Sequence, residues 1–371
     1  MMKFLYSLNN IWNYVIIFSF SVIALLLIYP LFSIFFSSFI DNESGLFTLQ
    51  NYSDILGRRY YRTAIYNSIV VGIAGMVGAL IIGIPLAYFT TRYQIKGKSL
   101  ITTLAILALV SPPFIGAYAW ITMLGSNGWL RHLLQNFGIF IPTIYGPFGI
   151  VLVFSLKFYP FVFLLTSGAL STINVSLEDA ADNLGCNPFT KFIRVTLPLV
   201  FPAVSAGALL AFVLSLADFG TPSIIGRNYK VLSTLAYNLY TSEMGGNPGL
   251  ASTVSIILIF ISLIFVYFQR RLNKRKDYGS SLLNRPTVKK LKKIYSIPVH
   301  FLCYFLVLFS SIPSIVVIFN SFRNTSGPVF KPGFGIDSYR RIIGDVPDAI
   351  FNSFMFSIAS VAMVVVLGTL I

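Results

Sequence analysis

Long apolar runs separated by short polar segments dominate the chain. They lie near residues 14–40, 64–90, 99–124, 143–170, 199–217, 251–268, 294–319 and 349–371. Each is long enough to cross a bilayer core, which takes about 20 helical residues. The first run is too long for the apolar part of a signal peptide and is followed by no clear cleavage site, so we expect it to remain as a helix. The pattern predicts an all-α membrane protein, a polytopic helical bundle of about eight transmembrane helices.

Charged residues are few and unevenly distributed. They make up 11 % of the chain, against about 25 % in soluble domains, and the formal net charge is +15. If the N-terminus is cytoplasmic and the spans alternate, most lysines and arginines fall on the cytoplasmic side, which is the usual bias. We therefore predict a multi-pass membrane protein with a cytoplasmic N-terminus. The basic excess is attributed to topology and to anionic lipids in the bilayer, not to nucleic acid.

The chain has little of the chemistry that enzymes or metal sites use. Its two cysteines, Cys186 and Cys303, fall in a polar loop and inside an apolar run, and its two histidines, His132 and His300, are isolated. Metal sites and nucleophilic catalysis need several such side chains at characteristic spacings. We predict no catalytic residue, no metal site and no cofactor.

Two late segments resemble two early ones. LQNYSDILG (49–57) resembles IDSYRRIIG (336–344), and YNSIVVGIAGMVGALIIGI (66–84) resembles FNSFMFSIASVAMVVVLGT (351–369). A basic stretch at 270–293 lies between the copies and is predicted to be a cytoplasmic linker. Because an even number of spans precedes it, both copies enter the bilayer in the same orientation, as in transporters built from parallel repeats. We predict a parallel internal repeat whose second copy is incomplete.

A polar interruption, SLEDAADNLGCNPFTKFIRVTLP (176–198), has the signals of two short helices. Ser176 is a candidate N-cap with Asp179 as its capping-box acid. Gly185 is expected to end the first helix in a left-handed conformation, and Asn187-Pro188 to begin the second, before Leu197-Pro198 opens the next span. We predict a helix, a hinge and a helix on the cytoplasmic side, with small and acidic residues outward to dock a partner protein. An amphipathic hairpin on lipid headgroups, the alternative, would carry lysines instead of acids.

The spacing of this stretch resembles the EAA loop of ABC importer permeases. Asp179-Ala180-Ala181 stands where the motif has Glu-Ala-Ala, Gly185 follows at the motif's distance, and Val195 replaces an isoleucine before Leu197-Pro198. The segments SPPFIGAYAW (111–120) and LADFGTPSIIG (216–226) resemble the double-length permeases of ferric-iron uptake systems. From this resemblance we expect the ATPase-coupling residues to be Glu178, Asp179, Ala180, Ala181, Asp182, Gly185, Val195, Leu197 and Pro198.

The resemblance implies a transmembrane permease subunit of an ATP-driven importer in the inner membrane, which is a transport subunit and not an enzyme. ATP hydrolysis would belong to an ATP-binding cassette ATPase dimer on the cytoplasmic side, and substrate capture to an extracytoplasmic substrate-binding protein. Ferric iron is the first substrate to test; thiamine, phosphonates and polyamines remain alternatives. A further alternative is an ion-gradient-driven secondary transporter, which would predict several intramembrane acids and no docking loop.

The domain division follows from the repeat and the linker. Residues 1–272 are predicted to form a first permease half with six transmembrane helices and the EAA-type loop, 273–293 a basic cytoplasmic linker, and 294–371 the start of a second half with two helices. The second block carries no counterpart of the acidic loop. We therefore expect a truncated product, a fragment or one part of a split permease, with the missing second permease half as a partner. The alternative is a complete, divergent protein.

Four residues are candidates for the translocation path. Lys157 lies deep inside an apolar run and Asp218 near the outer end of another; such charges usually face a cavity or a partner. They are expected to line the path or to pair as an outer gate. The alternatives are a lysine that extends to the membrane surface and an interfacial acid that ends a helix. Pro112 and Pro113 are expected to break a span, which needs protein or water around the freed carbonyls.

Two further patterns concern helix geometry inside the spans. Pro85 is expected to break its helix, in the same way as the proline pair in the next span. Gly75, Ala79 and Gly83 recur every four residues. Such a stripe of small residues lets two transmembrane helices approach closely, so we predict tight packing along this face.

Overall fold

A computed structural model describes residues 11–42, 44–174, 176–242, 246–274, 288–291, 293–326 and 329–370. Within these ranges, seven helices are long and apolar enough to cross a membrane, or eight if one bent pair of helices counts as a span. This confirms the predicted polytopic all-α architecture. The chain divides into two compact units, one of residues 41–317 and one of residues 1–40 with 318–371. They are described separately.

The larger unit contains most of the helices. In chain order they are α3 (Gln50–Gly57), α4 (Arg59–Arg92), α5 (Lys98–Val110), α6 (Pro113–Leu124), α7 (Trp129–Asn136), α8 (Pro147–Leu170), α9 (Ser176–Asn183), α10 (Pro188–Lys191), α11 (Leu197–Ala217), α12 (Gly220–Ile225), α13 (Leu232–Thr241), α14 (Pro248–Asn273) and α15 (Lys293–Ser321). A π-helical turn, Phe192–Thr196, joins α10 to α11.

The centre of this unit is the close packing of α4, α8 and α11. A Cβ atom placed on Gly75 would lie 2.9 Å from Phe154 Cβ, and one on Gly83 would lie 2.8 Å from Val162 Cβ. From α11, a Cβ on Gly207 would lie 2.7 Å from the Cα atom of Val162. Helices can approach this closely only where a side chain is absent, so the predicted small-residue packing is confirmed.

The two proline predictions had different outcomes. The apolar run 99–124 is broken as expected: α5 ends at Val110, α6 begins at Pro113, and the chain bends by 104° there. The residue before a proline favours an extended backbone, and Pro112 has that conformation, with ψ at 142°. Pro85, by contrast, lies inside the continuous helix α4, so the predicted break is wrong. A transmembrane helix tolerates one missing hydrogen bond when neighbouring helices surround it.

The smaller unit begins with α1 (Ile11–Ile23), a π-helical turn (Ala24–Ile28) and α2 (Tyr29–Ser37). An antiparallel hairpin follows α15, with β1 (Arg323–Ser326) paired to β2 (Val329–Phe334). Helices α16 (Asp337–Asp345) and α17 (Pro347–Leu370) complete it.

The repeated sequence segments adopt the same order of elements. The first copy forms the short helix α3 and then the long helix α4; the second forms the short helix α16 and then the long helix α17. In the first copy, Asn67 Nδ2 donates to the Lys230 carbonyl (2.9 Å), and the Leu232 N–H donates to Ser68 Oγ (2.8 Å). These two bonds secure the start of α13 against α4.

The predicted linker, 273–293, lies largely outside the described residues, because only 273–274, 288–291 and 293 are described.

Candidate functional site

The hinge between α9 and α10 has the predicted geometry. Gly185 has a φ of +76°. Its N–H donates to the Asp182 carbonyl (3.0 Å), and the Cys186 N–H donates to the Ala181 carbonyl (3.0 Å). These two bonds close a helix through a left-handed residue, a conformation that glycine adopts without the penalty other residues carry. The predicted left-handed end of the first helix is confirmed.

The two helix starts differ from each other. Asn187 caps α10 as predicted, because its Oδ1 accepts the Thr190 N–H at 2.7 Å and Pro188 follows as the first helical residue. The N-cap prediction for Ser176 is wrong. Ser176 is itself the first residue of α9, and both its hydroxyl (2.6 Å) and its N–H (3.0 Å) donate to Asn174 Oδ1. The asparagine two positions earlier provides the acceptor that the serine was expected to provide.

Helix α10 is continuous with a membrane span. The helical stretch Pro188–Ala217 includes α10, the π-helical turn and α11, 30 residues in all. As predicted, α11 begins at Leu197 with Pro198 in its first turn, although the helical stretch that contains it starts earlier, at Pro188. Proline is acceptable here because the π-helical turn precedes it, and such turns are frequent at functional sites. A displacement of α10 would therefore be transmitted directly to the membrane-embedded helix α11.

Glu178 faces inward, contrary to the prediction that all the acids of this stretch face outward. Its Oε1 lies 2.8 Å from Nη2 of Arg92 and accepts a hydrogen bond from Thr196 Oγ1 at 2.7 Å. The side chains of Arg92 and Glu178 are only 8 % and 12 % exposed. Ala181, three positions after Glu178, lies on the same helix face and is also buried, so its expected outward orientation is wrong as well. This Arg92–Glu178–Thr196 cluster joins the end of α4, the helix α9 and the π-helical turn.

The opposite face of the helix pair is exposed and mixes apolar side chains with one acid. Asp179 and Ala180 are exposed, as predicted. Beside them, the side chains of Leu177, Leu184 and Phe189 are 50 %, 84 % and 72 % exposed. Exposed apolar side chains that cluster on one surface mark a contact with a protein or a membrane. We call these five residues the docking surface, after the role that the sequence predicts for this stretch.

Asp182 of α9 forms an ion pair with α10. Nζ of Lys191 lies 2.6 Å from its Oδ1, and Nζ of Lys289 lies 4.0 Å from its Oδ2. The carboxylate is thus engaged within the chain. Exposed ion pairs contribute little stability, on the order of 0–1 kcal/mol, so this one mainly fixes the orientation of α9 relative to α10. Of the other expected coupling residues, Val195 lies half-buried in the π-helical turn.

The structure brings together Lys157, inside α8, and Asp218, directly after the end of α11. Nζ of Lys157 lies 2.7 Å from Oδ2 of Asp218, and their side chains are 15 % and 3 % exposed. Asp218 also accepts the N–H (2.9 Å) and the hydroxyl (3.3 Å) of Thr221. These bonds lie at the break between α11 and α12. The lysine is thus held by a buried carboxylate that directly follows α11.

A cavity of about 460 Å³ opens beside this ion pair. Lys157, Asp218 and Pro112 line it together with apolar side chains of α8 and α11. A smaller pocket shares Ser111, Pro112 and Lys157 with this cavity and is also lined by Thr221, Ser310 and Ser314. Three of the four path candidates thus meet at one place, and the fourth, Pro113, begins α6 next to it.

Sequence reasoning missed two residues of the buried cluster. Neither Arg92 nor Thr196 is among the residues that the sequence singles out. The available signal was an arginine at the end of a long apolar run, because a charge at that position needs a partner when other helices cover it. Its partner could not be selected from the sequence, since Glu178 is 86 positions away.

Comparison with known proteins adds three findings. Residues 79–278, more than half of the chain, match a family model described as binding-protein-dependent transport system inner membrane component. The ferric transport system permease protein FbpB of Actinobacillus pleuropneumoniae is 33 % identical over 249 residues, which is 66 % of this chain and 36 % of that protein. The molybdenum transport system permease protein ModB of Haemophilus influenzae is 31 % identical over 216 residues, or 57 % of this chain and 93 % of that protein.

A solved structure shares the fold. A bacterial alginate ABC transporter, determined with an alginate pentasaccharide-bound periplasmic protein, aligns with a TM-score of 0.55 at 17 % identity. The alignment covers 72 % of this chain and 96 % of that one. The matched family segment contains the docking surface, the Arg92–Glu178–Thr196 cluster and the Lys157–Asp218 pair.

Proposed function

We propose, because this chain belongs to the family of binding-protein-dependent transport system inner membrane components, that it is the permease subunit of an ATP-driven importer. Its partners would be an ATP-binding cassette ATPase dimer on the side of α9 and α10, which is taken as cytoplasmic, and a substrate-binding protein on the opposite side. The N-terminus would then be cytoplasmic. Residues 1–272 would form one permease half, and a second half, which begins at residue 294, would pair with it.

This proposal rests on the docking surface and on the contacts that connect it to the helices α4 and α11. Exposed Leu184 and Phe189 flank the left-handed hinge at Gly185 and offer apolar anchors to a partner. A force on Phe189 acts at the start of the helical stretch that continues into α11, and a force on α9 reaches α4 through Glu178 and Arg92. One contact would thus move two transmembrane helices when the ATPase dimer closes.

The Lys157–Asp218 pair is proposed as part of the translocation path. The pair is buried, lies at a helix break and borders a cavity of about 460 Å³. Buried ion pairs are expensive to separate in a low-dielectric medium. The Lys157–Asp218 pair would therefore act as a gate that opens only when the surrounding helices move and separate the two charges.

Ferric iron is the proposed substrate. Support comes from the identity of 33 % to the ferric transport permease and from the sequence resemblance to ferric-iron permeases. Molybdate is a second candidate, favoured by the identity of 31 % to ModB over nearly the whole length of that protein. Thiamine, phosphonates and polyamines remain alternatives from the wider family.

Reconstitution tests this function directly. This chain, the remainder of the second permease half, the ATPase and the binding protein would be placed in proteoliposomes, with ATP inside, and uptake of ferric iron and molybdate would be measured. ATP-dependent iron uptake is the expected result. Molybdate uptake alone would overturn the substrate assignment. Uptake that follows an imposed ion gradient without ATP would instead show a secondary transporter.

The hinge offers a matched pair of variants for the coupling step. No atom lies within 4 Å of a Cβ built at Gly185, so only its φ of +76° restricts substitution. Asparagine tolerates the left-handed region and β-branched residues do not. Gly185→Val should therefore abolish uptake and weaken co-purification with the ATPase, whereas Gly185→Asn should retain both. Equal behaviour of the two variants, with normal membrane insertion, would contradict the hinge role.

A further inference from the structure

A second concave site lies on the same side as the docking surface, at the start of α15. The loop after α4, the segment 288–291 and the first turns of α15 enclose a pocket of about 550 Å³. Its lining includes Lys96, Lys290, Ile297, His300 and Phe301. The salt bridge between Lys289 and Asp182 places it beside α9.

Hydrogen bonds between separate segments form the pocket walls. The Lys289 N–H donates to the Arg92 carbonyl (3.0 Å), and the Gln94 N–H donates to the Lys289 carbonyl (3.1 Å). On the other wall, the Lys96 N–H donates to Nε2 of His300 (3.2 Å), and the Tyr304 hydroxyl donates to the Lys96 carbonyl (2.7 Å). The pocket is therefore built by the fold and does not arise from one loop.

The lining combines positive charge with apolar surface. Lys96 and Lys290 contribute two ammonium groups, and no acid is among the described residues that line the pocket. From the pocket, exposed apolar side chains continue along one face of α15, at Ile297, Phe301 and Phe305, which are 79 %, 69 % and 51 % exposed. The rings of Phe301 and Phe305 stack with centroids 5.8 Å apart. A cationic end followed by an apolar strip matches a phosphate headgroup followed by an acyl chain.

We propose that this pocket binds one anionic glycerophospholipid, with its phosphate between Lys96 and Lys290 and an acyl chain along the Phe301–Phe305 face of α15. The lipid would hold the segment 288–291 against the end of α4. This segment contacts both Arg92, through its carbonyl, and Asp182 of α9. The site is independent of which substrate the protein transports.

The number of charges removed predicts how much the affinity for the lipid falls. A lysine near an anionic lipid surface contributes about 1 kcal/mol, which is about a fivefold change in affinity. Lys96→Gln/Lys290→Gln should therefore weaken binding about 25-fold. Arg270→Gln/Lys274→Gln removes the same charge from exposed residues at the end of α14 and should leave the affinity unchanged.

Native mass spectrometry of the delipidated, detergent-purified full chain measures this binding. Phosphatidylglycerol is titrated against phosphatidylcholine of the same chain length. We expect the wild-type protein and the Arg270→Gln/Lys274→Gln variant to bind one phosphatidylglycerol in preference to phosphatidylcholine. The Lys96→Gln/Lys290→Gln variant should lose this bound lipid. Equal retention of the two lipids, or equal binding by the two variants, would overturn the proposal. Displacement by glycerol phosphate would also overturn it, because the site would then take a soluble anion.

Discussion

Replacing Glu178 with alanine leaves the buried guanidinium of Arg92 without its counter-ion. The two side chains are 8 % and 12 % exposed, so little water can substitute for the lost carboxylate. Within the described part of the chain, Nε of Arg92 already has no hydrogen-bond partner. Removing one member of a buried ion pair costs about 3–5 kcal/mol. The Thr196 hydroxyl also loses its acceptor, which adds about 1 kcal/mol.

The protein contains its own probe for this loss of stability. Cys303 is completely buried, whereas Cys186 is partly exposed in the hinge. In a Cys186→Ser background, a thiol-reactive dye would therefore report unfolding through Cys303 alone. The free energy of unfolding in detergent should fall by about 4–6 kcal/mol for Glu178→Ala, the sum of these two contributions.

Two control variants separate the buried pair from other effects. Asp179→Ala removes the neighbouring acid, which is exposed, and should change the free energy of unfolding by no more than about 0.5 kcal/mol. Arg92→Met/Glu178→Leu removes both charges and should recover most of the stability, because apolar replacement of a whole buried pair is often neutral. If Glu178→Ala unfolds at the same denaturant concentration as Asp179→Ala, the cluster does not hold α9 to α4 and the reasoning is refuted.

Three further predictions follow from the same contacts. Phe189→Ser should abolish co-purification with the ATPase while dye reactivity stays unchanged; retained co-purification would exclude Phe189 from the docking surface. Asp218→Ala should cost about 3–5 kcal/mol because it strands the ammonium of Lys157. Adding a second substitution, Lys157→Met, should recover part of the lost stability in the same dye assay. Equal stability of the single and double variants would count against the buried pair. Gly83→Val should cost about 1–3 kcal/mol by forcing α4 away from α8, unlike Gly168→Val, whose Cβ meets no atom within 4 Å; equal unfolding of these two variants would argue against the close contact.

Features that depend on neighbours in the chain were predictable. The left-handed Gly185 and the capping Asn187 form bonds within five positions of themselves, and the break at Pro112 follows from the proline that comes next. The apolar runs were recognisable as helices because a bilayer requires about 20 apolar residues in succession. The small-residue stripe of α4 also indicated where another helix would pack.

Features that depend on what surrounds a residue were not predictable. The acids of 176–183 have similar local sequence signals, yet Glu178 is buried and Asp179 is exposed. Pro85 resembles the other span prolines in the sequence, yet its helix continues. In both cases the outcome depends on which helices lie against the residue.

The sequence by itself determined the helices, the hinge and the presence of buried charges, because backbone hydrogen bonding and transfer into lipid act locally along the chain. Only the tertiary structure decided which charges pair. Arg92 with Glu178 and Lys157 with Asp218 are 86 and 61 positions apart. A charge removed from water is stable only beside an opposite charge, and the packing of α4, α8, α9 and α11 determines which opposite charges come within reach.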